Sequence, residues 1–189
     1  DTLGNFGSSL QLLADRATYV YSQGTRSWYD RQPSINRMVV DRAASLDTAD
    51  VARKAVDMLK GMAAGAREFA HVIVAPASTG DVPDKQETTL VILGPDRTVA
   101  ARNGRSSQVT GPGREFTEEL LYHRGSAPRN HVNTLITVAP DEGRWAEAEQ
   151  ALRIHMAWSE MAKEESIRDH DLTLSQAEQA RQKRRDTQS

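Results

Sequence analysis

The residues best placed to do chemistry lie in the run RGSAPRNHVN, residues 124–133. Two arginines in one turn can hold a phosphate or carboxylate in the planar fork of the guanidinium. Ser126 and Asn133 add hydrogen-bonding groups, so Arg124, Ser126, Arg129 and Asn133 form a candidate anion-binding or partner-binding set. No nucleophile stands beside a base in this stretch, so the chemistry it suggests is holding, not bond-making, and no catalytic residue is assigned. The run also feeds the amino end of a strand, whereas ligands of α/β sheets gather at the carboxyl ends. Those ends are three proline corners, Ala75-Pro76, Gly94-Pro95 and Ala139-Pro140. Proline there has a purely structural reason, since it lacks an N–H and stops the ladder.

A second candidate is the aromatic segment TYVYSQGTRSWYD, with its turn at Gln23-Gly24. Arg26 beside the tip and Trp28 after it could touch a DNA backbone, as the wing of a winged helix does. Alternation along the strands should bury at least half of these aromatics. The Gly-rich loop DRTVAARNGRSSQVTGPGRE lacks the Lys-Ser/Thr of a phosphate loop, and no GxxxxGK[ST] occurs anywhere in the chain. The five histidines show no HExxH and no paired ligand spacing, so no metal site is expected.

Composition narrows the setting. The 189 residues suit one medium domain or a domain with an appendage. Lys+Arg 24 against Asp+Glu 26 gives no global electrostatic case for nucleic acid or membrane. The absence of cysteine excludes disulfides, a thiolate nucleophile and Cys-ligated zinc. No apolar run reaches membrane-spanning length and no signal peptide is visible, so a cytoplasmic protein with no membrane partner is expected. The chain starts without Met and ends in ARQKRRDTQS, which suggests a piece excised from a longer protein.

These candidates need elements to position them. Ser8–Ala17 has capping-box spacing and an apolar face of Phe6, Leu10, Leu13, Ala14 and Ala17, which predicts a helix leading into the aromatic hairpin. A second helix carries Ile35, Met38, Val39, Ala43 and Leu46. A third is capped by Asp47 and should bury Val51, Ala55, Met58, Leu59 and Met62. The runs HVIVAPAS, TTLVILGPD and NTLITVAPD read as strands buried on both faces. A helix near Glu115–Arg124, with Phe116, Leu120 and Leu121, makes the last two strands a β-α-β unit. The pairing of the first two strands stays open. Asp141 should cap a long helix to about Lys163, with one stripe of Trp145, Ala148, Leu152 and Met156 and another of Ile154, Trp158 and Met161. KEESIRDHD should break it, and a charged helix restarts with the Thr173–Gln176 capping-box spacing.

The expected fold is therefore α/β, a small, mostly parallel sheet of three to four strands flanked by helices and preceded by a winged-helix-like helix and hairpin. The expected division is 1–32 for the end of a winged-helix-like element, 33–165 for a helical pair plus α/β module, and 166–189 for a charged helical extension expected to continue into missing sequence.

Several phrases carry a family resemblance. They are LADRATYVYSQGTRSWYDRQPSINRMVVDRA, HVIVAPASTGDVPD, LVILGP and RGSAPRNHVNTLITVAPDEGRWAEAEQALRIHMAW, in that order over roughly residues 5–180. The series resembles the region after the ATPase core in large bacterial ATP-binding proteins of anti-phage defence islands, similar to the PglY/BrxC-type ATPases of phage-growth-limitation (BREX) systems. The resemblance implies a parent P-loop ATPase, with ATP and Mg held upstream of Asp1 and no cofactor in this chain. It implies partners in the rest of that ATPase, in DNA and in other defence subunits. Two other readings stand beside it: a self-standing nucleic-acid-binding module using the hairpin and the basic tail, and a small hydrolase or transferase.

Overall fold

The computed structural model describes residues 20–23, 26–29, 34–101, 109–170 and 172–187. The predicted helix Ser8–Ala17 lies outside them. Contacts divide the chain into two compact units, Asp1–Leu46 with Ala151–Ser189, and Asp47–Gln150. These units do not follow the sequence-based boundaries at 32/33 and 165/166. The helical pair is split at Leu46/Asp47, and the long helix is divided between Gln150 and Ala151.

In the first unit, β1 (Val20–Gln23) and β2 (Arg26–Tyr29) form an antiparallel hairpin whose backbone register pairs position 21 with 28 and 23 with 26. Helix α1 (Ile35–Ser45) starts at Ser34, whose side chain accepts from the Arg37 N–H. It buries Ile35, Val39 and Ala43 against Ala157, Trp158, Met161 and Ala162. Those four belong to the end of α4 (Glu142–Met161) and the residue after it. Helix α5 (Glu164–Asp169) occupies the predicted break. Helix α6 (Leu174–Asp186) restarts with a reciprocal Thr173–Gln176 capping box and adds Ala180 to this core. Burying each large apolar side chain here contributes roughly 1.5–3 kcal/mol.

The second unit carries the sheet. Helix α2 (Thr48–Ala63) is capped by the Asp47 carboxylate, which accepts from the Ala49 N–H. Strands β3 (His71–Val74), β4 (Thr89–Ile92) and, later in the chain, Leu135–Val138 are parallel in that order. The open question about the first two strands is thus settled as parallel, with His71 opposite Thr89. The connection 75–88 contains one 3₁₀ turn, Thr79–Asp81, and is just long enough for the dozen or so residues that a parallel crossover needs. After β4 come the short pair β5 (Ala100–Ala101) and β6 (Val109–Thr110), helix α3 (Pro112–Tyr122), and the small hairpin β7 (His123–Arg124) and β8 (Ala127–Pro128). Leu135–Val138 is β9.

Sequential strand order has a topological consequence. Two crossovers of the same hand, each to the next strand in one direction, lie on the same face of the sheet. The core cluster has this arrangement. Val82 from the first crossover and Phe116 and Leu120 from the second pack with Val91 and Leu93. The opposite face, with Val72, Val74, Leu90, Ile92, Ile136 and Val138, receives neither connection.

Burial on both faces, expected from the apolar runs, therefore does not hold for β9. Its residues alternate, with Ile136 at 47% and Val138 at 51% exposure. Met58 and Met62, expected in the buried face of α2, are exposed as well, and Ala148 of α4 likewise. Among the described residues no helix is long and apolar enough to cross a membrane.

Candidate functional site

The stretch that opened the sequence reading forms a braced hairpin. Arg124 pairs with Ala127, leaving Gly125-Ser126 as the two-residue loop. Gly125 has φ +59°, the positive value that the first position of a type II′ turn requires and that glycine adopts without cost. Its N–H donates to the Thr79 hydroxyl at 3.0 Å, which fastens the tip to the first crossover. Thr79 is itself buried.

Arg129 does the rest of the bracing. Its side chain is fully shielded from solvent. Nε donates to the Leu120 carbonyl at 2.8 Å, one Nη to the Pro83 carbonyl at 2.9 Å, and the other to the Val82 carbonyl at 3.2 Å and the Thr79 carbonyl at 3.5 Å. One guanidinium thus supplies donors to the carbonyls of Leu120, Val82 and Pro83, and shares that of Thr79 with the Val82 N–H. Burial lowers its pKa, and Asp84 at 4.0 Å opposes that shift.

Asp84 completes the brace. It accepts from the Asn130 N–H at 2.9 Å, the His131 N–H at 2.9 Å and the Asn130 side-chain amide, and its carboxylate lies 3.2 Å from His131 Nδ1. The Asn130 N–H is the largest of the influences that bring its pKa down to about 2, and both contacts from His131 act in the same direction. Hydrogen bonds to the charged form are the cause.

The four predicted residues therefore divide. Arg129 is an internal clamp on carbonyls, sealed away from any outside anion. Arg124, Ser126 and Asn133 are exposed, and Arg124 makes no ion pair among the described residues. Arg26 and Trp28 stand on β2, as the reading of the hairpin placed them.

Sequence reasoning missed Arg97, Thr79 and Asp84. Arg97 closes the carboxyl ends of the strands. It donates to the carbonyls of Pro76 and Ala77, and its guanidinium stacks 3.8 Å from the Phe116 ring centroid. The signal for Arg97 and Asp84 was only a charged residue following a proline turn, Pro95-Asp96-Arg97 and Pro83-Asp84. Arginine thus pins both ends of the sheet, Arg97 at the carboxyl ends and Arg129 at the amino ends.

The helix start at Gly111-Pro112-Gly113 is the feature closest to a phosphate cradle. The chain's own backbone fills it: a Cβ on Gly113 would come within 2.5 Å of the Arg97 carbonyl oxygen and 3.0 Å of that of Thr98. With no Lys-Ser/Thr following, these residues do not fit a nucleotide.

The remaining distinctive surface is the open sheet face. A groove of about 480 Å³ runs between the end of α2 and β3, lined by residues that include Lys60, Ala63, Phe69, Val72 and Val74. Ile136 and Val138 lie on the same face of the sheet, two strands away. No family model, curated protein or solved structure matches this chain.

Proposed function

We propose that this chain is a non-catalytic interaction module of a larger P-loop ATPase in anti-phage defence, working in the cytoplasm. It links the remainder of that ATPase to partner subunits or DNA. The observation that supports this reading best is the open face of the parallel sheet. Ile136 and Val138 stay about half exposed, in a layer that α/β domains ordinarily cover with helices. The sequence resemblance supplies the parent. ATP and Mg are assigned to residues outside this chain, and no step here runs through them.

Two measurements test the reading. The purified chain should not hydrolyse ATP, and robust turnover by it alone would overturn the proposal. In the full-length protein, Ile136→Asp with Val138→Asp should raise the plating efficiency of phage toward that of a host lacking the system. The same pair in the purified chain should leave the melting temperature within a few degrees, because both side chains already face water. Undiminished protection by the double variant would sink the role of this face.

A further inference from the structure

Half of the described arginines lie beside a carboxylate, Arg97 and Arg129 among them. Arg37, Arg42, Arg53, Arg114 and Arg144 each lie within 4.0 Å of a carboxylate. The run Arg181-Gln182-Lys183-Arg184-Arg185 in α6 differs. None of its four cations makes an ion pair among the described residues. Arg185 donates to the Gln182 side-chain oxygen at 2.6 Å, and Gln182 in turn holds Asp186, one of the two carboxylates of this helix, at 2.8 Å. Arg67 and Arg124 also make no ion pair among the described residues, but each stands singly, whereas four such cations crowd this one stretch of a chain whose net charge is −2.

The shape of that stretch limits what it fits. Gln176, Ala177 and Ala180 anchor α6, and residues 181–187 are exposed on every side. At about 100° per residue, Arg181, Arg184 and Arg185 fall within one arc of about 100°, and Lys183 lies on the opposite side. Cations at a helix C-terminus also answer the macrodipole, but one or two suffice for that. A flat anionic membrane favours an apolar face on the helix it holds, which residues 181–187 lack. Cations on opposite sides of the helix, three on one and one on the other, suit a groove with phosphates on both walls. The major groove of duplex DNA, about 12 Å wide, admits a helix about 10–12 Å across, whereas that of duplex RNA is deep and narrow.

We infer that the last two turns of α6 are a contact element for duplex DNA, with Arg181, Lys183, Arg184 and Arg185 bound to backbone phosphates. The inference does not depend on the ATPase reading, and ATP turnover and phage plating do not test it. The contact is to phosphates, so it carries affinity without sequence preference.

Fluorescence anisotropy with a labelled duplex of about 20 base pairs and the complete chain tests it, over salt from about 50 to 200 mM. The expected result is binding whose log K falls against log salt with a slope near −3 to −4, about 0.9 for each phosphate neutralised. Replacing all four cations with alanine should weaken binding at least tenfold and flatten the slope, while circular dichroism and the melting curve stay unchanged. Each single alanine should reduce the slope by about one. The assignment is overturned by no binding at the lowest salt, by an unchanged slope in the fourfold variant, or by equal binding to phosphatidylserine vesicles. It is also overturned if Arg26→Ala with Trp28→Ala abolishes binding while the fourfold variant retains it.

Discussion

Arg129 and the run Arg181–Arg185 put the same side chain to opposite uses. Arg129 is sealed in the second unit and directs its donors at four carbonyls. The cations of α6 stand in water with no carboxylate partner among the described residues. Both stretches read in the sequence as basic and polar. What separates them is the supply of unpaired carbonyls nearby. The crossover 75–88 holds only a single 3₁₀ turn, so the carbonyls of Val82 and Pro83 need an outside donor. The last carbonyls of α6, those of Lys183, Arg184 and Arg185, are met by the N–H and hydroxyl of Thr187 and so need nothing from the arginines.

The largest effect should come from breaking the clamp. Arg129→Met keeps much of the volume but removes every donor, leaving buried carbonyls unpaired and Asp84 without its arginine. A cost of about 3–5 kcal/mol is expected. Arg129→Lys should recover only part of this, because an ammonium cannot span the same fork. Hydrogen exchange of the amides in 79–84 and 120–131 is the measurement to make. Protection of α1 and α6 should change far less, since they belong to the other unit. If Arg129→Met left exchange unaltered, the contrast drawn between the two basic regions would collapse.

A smaller, pH-dependent effect belongs to Asp84. Its folded pKa is about 2, below the ordinary 3.8, with the Asn130 N–H as the leading cause. A carboxylate depressed in this way contributes stability that is fully present above its unfolded pKa and is lost as pH falls through the folded one. Wild type should therefore be more stable than Asp84→Asn at neutral pH, and the gap should close as pH falls from about 4 to about 2. Urea midpoints across that range check this. A gap that stayed constant with pH would mean that the charge of Asp84 is irrelevant to the brace.

Local signals in the sequence were dependable and distant ones were not. The caps at Asp47 and Thr173–Gln176 involve partners two or three residues away, and both formed. The three apolar strands were visible because each needs only its own run of β-formers. The exposure of Ile136 and Val138 was hidden, because it follows from strand order and not from any property of β9 itself. The same holds for Met58 and Met62, whose helical spacing matched a buried face that the fold does not use. The role of Arg129 was hidden most completely. Its contacts to Thr79, Val82 and Pro83 span 46–50 residues, and their acceptors are backbone oxygens that every residue type carries. A reading by residue type could register the arginine but not the carbonyls awaiting it.

Arg42 offers an intermediate case in the first unit. It faces Glu160 through two donors, Nε and one Nη, the latter at 3.2 Å, and so ties α1 to α4. Its side chain is 44% exposed and that of Glu160 31%, so water competes for both groups. The Arg42 hydrogen bond holds the Glu160 carboxyl below its usual range, but at such exposure the pair has little stabilising effect. Arg42→Ala should cost about 0.5–1 kcal/mol, with part of that loss recovered in the wild type's own decline at high salt. Thermal melts at low and high salt measure both. A loss as large as that of Arg129→Met would show that pairing, and not burial, sets the scale. A loss near 0.5 kcal/mol would place the difference in the desolvated carbonyls of the clamp.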